Sequence, residues 1–315
     1  MRKPLLANPG VRHAKRPHCL AAGMLAVALS PALAYAAEPA KADADNKEAA
    51  KTLAPVKVIG AQGERVQGYK AETTRLGKMK QDLKDVPQAV TVVTHDLMAE
   101  QGAANLKDVL KNVSGITFAA GEGGRSGDQV ILRGFAAFND MYRDGQRDVA
   151  QYNRDPFNDE KIEVLKGASS MLFGRGSTGG VINQVSKAPF AGELLGADLT
   201  IGSNDYQRIT LDVNKPYSDT TAVRLNVMGT EDGSPNGKSQ SKRWGVAPSV
   251  AFGLGEPTTI VLSHHHLTEK NRPDLGVPYD PNTLKPLDVP RSRYYGVDGL
   301  NMEDITTDIT TARLT

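Results

Sequence analysis

From about residue 193 the chain alternates apolar and polar residues with a period of two. In RITLDVN (208–214), Ile209, Leu211 and Val213 interleave with Arg208, Thr210, Asp212 and Asn214. In TAVRLNVMG (221–229), Val223, Leu225 and Val227 interleave with Arg224, Asn226 and Met228. In WGVAPSVAFGL (244–254), large residues alternate with Gly, Ala and Ser. Side chains of a strand point to opposite faces in turn, so each stretch has one apolar and one polar face. The runs have the length of tilted membrane-spanning strands, and the face opposite the apolar one is too polar for the core of a soluble sandwich. Six strands are expected, near 194–202, 206–214, 221–230, 243–254, 258–267 and 304–315. The expected connections are GSND, NKPYSDT, EDGSPNGKSQSK, GEPT and a long loop to about 303. Six strands are fewer than the ~8 of the smallest closed membrane barrel, so the chain reads as truncated.

The N-terminus is of a different kind. Arg2, Lys3, Arg12, Lys15 and Arg16 precede an apolar run from Cys19 to Leu29, and Ala34-Tyr35-Ala36 supplies a small-residue cleavage site. Residues 1–36 are therefore read as a signal peptide, its apolar run too short to span a bilayer. Without it, 33 of the 38 Lys and Arg remain against 36 Asp and Glu. A net charge near −3 gives no nucleic-acid signal. The one cysteine, Cys19, lies in the leader, which excludes a disulfide scaffold and a thiol enzyme from the mature portion. Residues 37–76 read as a flexible segment, polar and aperiodic apart from the β-prone APVKVIG (54–60).

Residues 77–189 read as a compact α+β domain. Asn105 is a plausible N-cap before Leu106, Val109, Leu110 and Val113, which fall at helical spacing and stop before Gly115. Short strands are expected at QAVTVV (88–93), QVILRGF (129–135), MYRDG (141–145), KIEVLKG (161–167) and GVINQVS (180–186). Gly174, Gly176 and Gly179 spell G-x-G-x-x-G. A dinucleotide loop needs a helix after its glycines, so that the pyrophosphate meets a helix N-terminus. Here a β-prone segment follows, and Pro189 ends it. The glycines, with Gly180, are expected to permit positive φ and close backbone approach. A secreted nucleotide-dependent enzyme, the rival reading, predicts a helix after Gly180.

The segment KIEVLKGASSMLFGRGSTGGVINQVSKAP (161–189) resembles the end of the plug domain of TonB-dependent outer-membrane receptors. VILRGF (130–135) resembles the family's I-R-G-F element, and DVPQAVTVVTHDLM (85–98) the start of its plug. The resemblance runs from about residue 53 to the end. It implies an α+β plug domain followed by an antiparallel transmembrane β-barrel of 22 strands, the plug filling the lumen, in the outer membrane of a Gram-negative cell. It also implies a monomeric importer and no enzyme. APVKVIG then stands where the TonB box belongs, so Pro55, Val56, Lys57, Val58 and Ile59 are expected to add as an extended strand to the energy-transducing protein TonB.

Within the family, GDQVILRGFAAFNDMYRDGQRDVAQYNRDPFN resembles siderophore receptors, and its R-D-G-x-R-D and Y-N-R-D-P-F elements lean towards the catecholate group. Other cargoes of the family are a hydroxamate siderophore, cobalamin, a metal complex or a glycan. A siderophore supplies every ligand to Fe³⁺, so no cofactor or protein-held metal is expected. The receptor needs cations, donors and aromatics for a bulky anionic complex. Arg125, Arg147, Tyr152, Asn153 and Arg154, on loops expected to face outward, are the candidate contacts. Arg133 and Arg175 are expected to hold the plug by pairing with wall carboxylates. His264-His265-His266 cannot converge on one metal from a strand, and is read as polar residues of the rim or lumen.

Overall fold

The structure, a computed structural model, describes residues 68–76, 81–119, 127–173, 178–290, 292–297 and 299–315. The expected signal peptide, the segment Pro55–Ile59, Arg125, Gly174, Arg175 and Gly176 lie outside the described residues.

The first part runs β1 (Thr73–Thr74), β2 (Gln81–Asp82), β3 (Val90–Thr94), α1 (His95–Glu100), α2 (Leu106–Leu110), β4 (Ile116–Phe118), β5 (Val130–Leu132), β6 (Phe135–Ala136), β7 (Met141–Arg143), β8 (Gln146–Arg147), β9 (Asp159–Lys166), α3 (Ser170–Phe173) and β10 (Gly180–Ser186). A mixed sheet has the order β3-β9-β10-β7-β8, with β7 and β10 parallel, and a smaller sheet has the order β4-β5-β6. Thr73 and Thr74, assigned to the flexible segment by sequence, pair with Asp82 and Gln81 and so belong to this part.

Helix α2 forms where its pattern demands. The Asn105 side chain accepts from the Asp108 N–H at 2.9 Å, satisfying one of the orphan donors at the helix start. Leu106, Val109 and Leu110 are fully buried, together with Val113, Val130, Leu132, Met141, Ile162, Val164 and Ile182. Each such side chain contributes about 1.5–3 kcal/mol. The Thr94 hydroxyl caps α1 in the same way, accepting from Leu97 at 3.3 Å.

The described glycines of the G-x-G-x-x-G region serve backbone approach. Gly180 has φ +137°, and a Cβ there would strike the Leu165 carbonyl oxygen of β9; one on Gly179 would strike that of Leu132. A short helix precedes these glycines and a strand follows them, the reverse of a dinucleotide loop. We expect Gly180→Ala to incur about 1–3 kcal/mol of backbone strain, and more from pushing β9 away. Faster amide exchange in β9 and β10 reads the effect, and unchanged exchange refutes it.

The second part is a meander of β11 (Leu194–Ile201), β12 (Gln207–Ser218), β13 (Thr221–Gly233), β14 (Gln240–Phe252), β15 (Ile260–Arg272) and β16 (Glu303–Leu314), each hydrogen-bonded antiparallel to the next. All six expected strands are present. NKPYSDT, read as a connection, is a strand for most of its length, because β12 continues through Pro216 to Ser218 and turns only at 219–220. The connections 202–206, 234–239 and 273–302 share one end of this wall, and 219–220 and 253–259 the other.

The alternation sorts the two faces. Leu195, Leu199, Ile209, Val223, Leu225 and Leu262 are exposed on the outward face, with the aromatics Trp244, Phe252 and Tyr217. An apolar band with aromatic margins is what a lipid-facing wall requires. Asn214, Arg224, Asn226, Arg243 and Glu269 are buried on the inward face. His264 and His266 stand mid-strand on the outward face with Trp244, and only His265 faces inward, which corrects their expected place at the rim or lumen. Cross-strand partners satisfy the outward pair: His264 bonds Thr310 at 2.8 Å and His266 bonds Asp308 at 2.7 Å.

Candidate functional site: the seat of the plug

The first part is bolted to the inward face of the wall through the chain from Tyr152 to Lys187. Three polar stations carry the attachment. At the first, Glu269 of β15 accepts from the Asn153 backbone at 3.0 Å and from its side-chain amide at 2.8 Å. At the second, Asp155 accepts two parallel bonds from Arg208 of β12, at 2.7 and 2.8 Å, and lies 3.3 Å from Arg243 of β14. The Asp155 carboxylate is fully buried. At the third, Lys187 pairs with Asp212 at 3.0 Å, and Asp212 takes a bidentate bond from Arg224 at 2.8 Å to each oxygen. Arg224 lies 3.6 Å from Glu160. Bidentate, charge-assisted bonds of this kind fix direction as well as adding strength.

Apolar contact fills the space between the stations. Phe157, in a short 3-10 turn, packs with Tyr152, Met228, Ala247 and Leu267 and stacks on His265 at 5.3 Å between ring centroids. Gly245 makes room for it: a Cβ there would lie 2.9 Å from the Phe157 ring. Gly245 and Ala247 of β14 are thus small where the plug meets the wall.

Above this seat, the loop carrying the candidate contacts is folded around Arg154. Its guanidinium bonds the Asp148 side chain at 3.1 Å, the Asp148 and Ala150 carbonyls, and Asp128 at 3.4 Å, and lies over the Tyr152 ring at 4.4 Å. The Tyr152 hydroxyl donates to Asp148 at 2.7 Å. Burial pushes that phenol up to about 12 against the pull of Arg143 and Arg154, which keeps it a donor. Burial also raises Asp128, with Arg154 pulling the other way.

The sequence-derived candidates therefore separate. Tyr152 and Arg154, expected on an outward-facing surface, are only 1% and 2% exposed. They form the buried knot of the loop, a correction that follows from Arg154 having four acceptors within its own loop and at Asp128. Asn153 reaches the wall at Glu269 and lines a cavity of about 290 Å³ with Gln240, Asn271, Arg272 and Glu303, at the end of the 273–302 connection. Arg147 stands at the surface, its Nε donating to the Asn139 carbonyl at 2.7 Å. Arg133 sits exposed at φ +52° in the β5–β6 turn and makes no ion pair among the described residues. Among the described residues it is Lys187 that pairs with a wall carboxylate, through Asp212.

Sequence reading passed over Asp155, Glu160, Lys187, Arg208, Asp212, Arg224, Arg243 and Glu269. For Arg208, Asp212, Arg224, Arg243 and Glu269 the signal was charge at inward positions of alternating strands. A second cavity, of about 580 Å³, lies between α1, α2 and the wall, lined by His95, Lys187, Arg208, Asp212 and Arg224. Burial, helped by Lys187, lowers the His95 imidazole to about 4, so it is neutral at pH 7.

The first part is thus a domain of mixed α and β structure, ion-paired to the inward side of a strand wall whose outer face is apolar. Residues 82–181 match the TonB-dependent receptor plug domain. The chain belongs to the TonB-dependent receptors. It carries their plug and six strands of their wall. It is 42% identical over 253 residues to the catecholate siderophore receptor Fiu of Escherichia coli strain K12, covering 75% of this chain and 33% of that protein. It is 37% identical over 257 residues to the probable TonB-dependent siderophore receptor PiuA of Acinetobacter baumannii, covering 79% and 34%. The closed-form crystal structure of the ferric-catecholate import receptor Fiu superposes with a TM-score of 0.72 at 39% identity, covering 78% of this chain and 37% of that one. The PiuA crystal structure gives 0.72 at 35% identity, covering 80% and 37%. The chain thus spans about a third of the length of these curated relatives.

Proposed function

We propose that this chain forms the plug and first wall strands of an outer-membrane receptor that imports a ferric siderophore of the catecholate class. The observation that carries the reading is the seat itself. A folded plug held in a barrel wall by three buried polar stations closes a pore and needs force to open it. Its similarity to a receptor named for catecholate siderophores supports the cargo. No covalent chemistry is required of the protein. The siderophore brings Fe³⁺ fully ligated, so the protein's part is to bind an anionic complex, seal the pore and yield.

Arg147 at the surface, Asn153 at the cavity floor and Arg125 are the proposed contacts, with Tyr152 and Arg154 fixing the loop that presents them. Pro55–Ile59 is the proposed handle for TonB. The test is uptake of radiolabelled iron by iron-starved cells that depend on the full-length receptor, supplied with catecholate or hydroxamate complexes. Uptake from the catecholate complex alone is expected, and equal use of a hydroxamate overturns the cargo class. Arg147→Ala should weaken binding of the catecholate complex about tenfold, as loss of one charge-assisted contact does. Unchanged affinity removes Arg147 from the site.

A further inference from the structure

An interior strand of the plug sheet, β9, carries a buried ion pair that the seat does not use. Lys161 and Glu163 are two residues apart on β9 and so share one face. Their charged atoms are 3.1 Å apart, and the side chains are 1% and 0% exposed. The Lys161 ammonium donates to the Thr73 carbonyl at 2.8 Å, and one Glu163 oxygen accepts from the Arg75 backbone N–H at 2.9 Å. The other Glu163 oxygen accepts from the Asn183 side chain of β10 at 3.0 Å. Two opposite charges buried in the sheet thus spend part of their bonding on the main chain of the segment that enters the plug. Leu76 follows and packs with Tyr142, Leu165 and Val181.

We infer that Lys161 and Glu163 are a release catch for the N-terminal segment. The catch holds residues 73–75 to the plug and, among the described residues, is the first buried restraint that tension from the N-terminal side meets. The contacts before it are superficial: Gly68 bonds Asp96, and the Tyr69 hydroxyl bonds Glu100, with Tyr69 57% exposed. Water competes for such bonds and they peel easily. The catch is different because its acceptor and donor are charged and dry, and charge-assisted bonds out of water are the stronger kind. Its anchorage is firm as well, since β9 is hydrogen-bonded to β3 on one side and β10 on the other. Once the segment leaves, water reaches the pair and solvates it, so release exposes two charges and is hard to reverse under load. The inference rests on reading Pro55–Ile59 as the handle on which tension is applied.

The experiment uses the full-length receptor in the outer membrane. Thr74 is 1% exposed, and the sequence's one cysteine is Cys19 in the expected leader. Thr74→Cys, in a background whose other cysteines are replaced by Ser, places an addressable thiol beneath the catch, read by its rate of maleimide modification. Arg75→Pro deletes the N–H that Glu163 accepts, while Arg75→Ala keeps it and removes only the side chain. Lys161→Met breaks the other half. We expect Arg75→Pro to speed modification about tenfold over Arg75→Ala, which shares the loss of the side chain, and Lys161→Met to speed it about tenfold over the unaltered receptor, the equivalent of one such bond. Slow exchange of the β5 amides in each variant certifies that the plug remains folded. Equal rates for Arg75→Pro and Arg75→Ala, or an unchanged rate for Lys161→Met, overturn the catch. In transporting cells, modification of the Thr74→Cys receptor should rise. No rise in a receptor whose uptake is lost on deleting residues 55–59 overturns the release step, whereas normal uptake after that deletion overturns the handle instead.

Discussion

Asp155→Asn should loosen the plug from the wall by about 3–5 kcal/mol, the usual cost of removing one partner from a buried charge pair. The residue keeps its shape, and its side-chain oxygen can still accept from the Phe157 N–H, the cap bond made at 3.1 Å. What disappears is the charge shared by Arg208 and Arg243, whose side chains are 10% and 8% exposed. Arg208 keeps Thr230 at 2.7 Å and Arg243 keeps the Ala104 carbonyl at 3.3 Å, but neither acceptor neutralises a cation. Amide exchange across α2 and residues 153–158 should rise in the full-length receptor, while the pairing of β12 to β14 stays protected. Replacing Arg243 by Met in the Asp155→Asn background should recover part of the loss, since it removes one of the stranded charges. A change below about 0.5 kcal/mol, the scale of an ordinary surface substitution, would mean that the second station does not hold the plug.

Deleting Pro55–Ile59 should abolish uptake and leave siderophore affinity within about twofold, less than ~0.5 kcal/mol. Among the described residues, the contacts that seat the plug and shape the 146–155 loop lie from Gly68 onward, outside the deleted segment. On the proposed reading its effect falls on energy transfer, through an extended segment that adds to a partner's sheet edge. Equilibrium binding to purified receptor and uptake by iron-starved cells separate the two quantities. Uptake at the normal rate rejects this segment as the handle. Lost binding would instead mean that it supports the loop.

Much of the wall could be read from the sequence because a strand's period is two and one face must meet lipid. Val223, Leu225 and Val227 had to share a face whatever the rest of the chain did. Helix α2 was legible for a similar reason, with Asn105 to start it and four apolar residues at helical spacing. The role of Gly179 and Gly180 was legible once the strand after them was weighed. The ligand candidates fared less well. Arg154 and Tyr152 have the composition of a contact surface, but a guanidinium is satisfied equally by a ligand or by Asp128, Asp148 and two carbonyls. Composition cannot say which acceptors lie nearby. The seat was missed for the same reason. Asp155 and Arg208 are 53 residues apart, and Asn153 and Glu269 116 apart, so no local pattern joins them. The His264–His266 tract shows the limit in another way: the period gave which two share a face, but not that this face was the outer one.

The sequence by itself determined that this chain makes a wall of alternating strands behind a small α+β domain, because periodicity and capping act within one element. Only the tertiary structure decided how the two are joined. Which inward charges pair with which plug residues, and which candidates are buried, depends on the geometry that places distant charges within about 3 Å. At that distance, and out of water, a single carboxylate can outweigh any propensity.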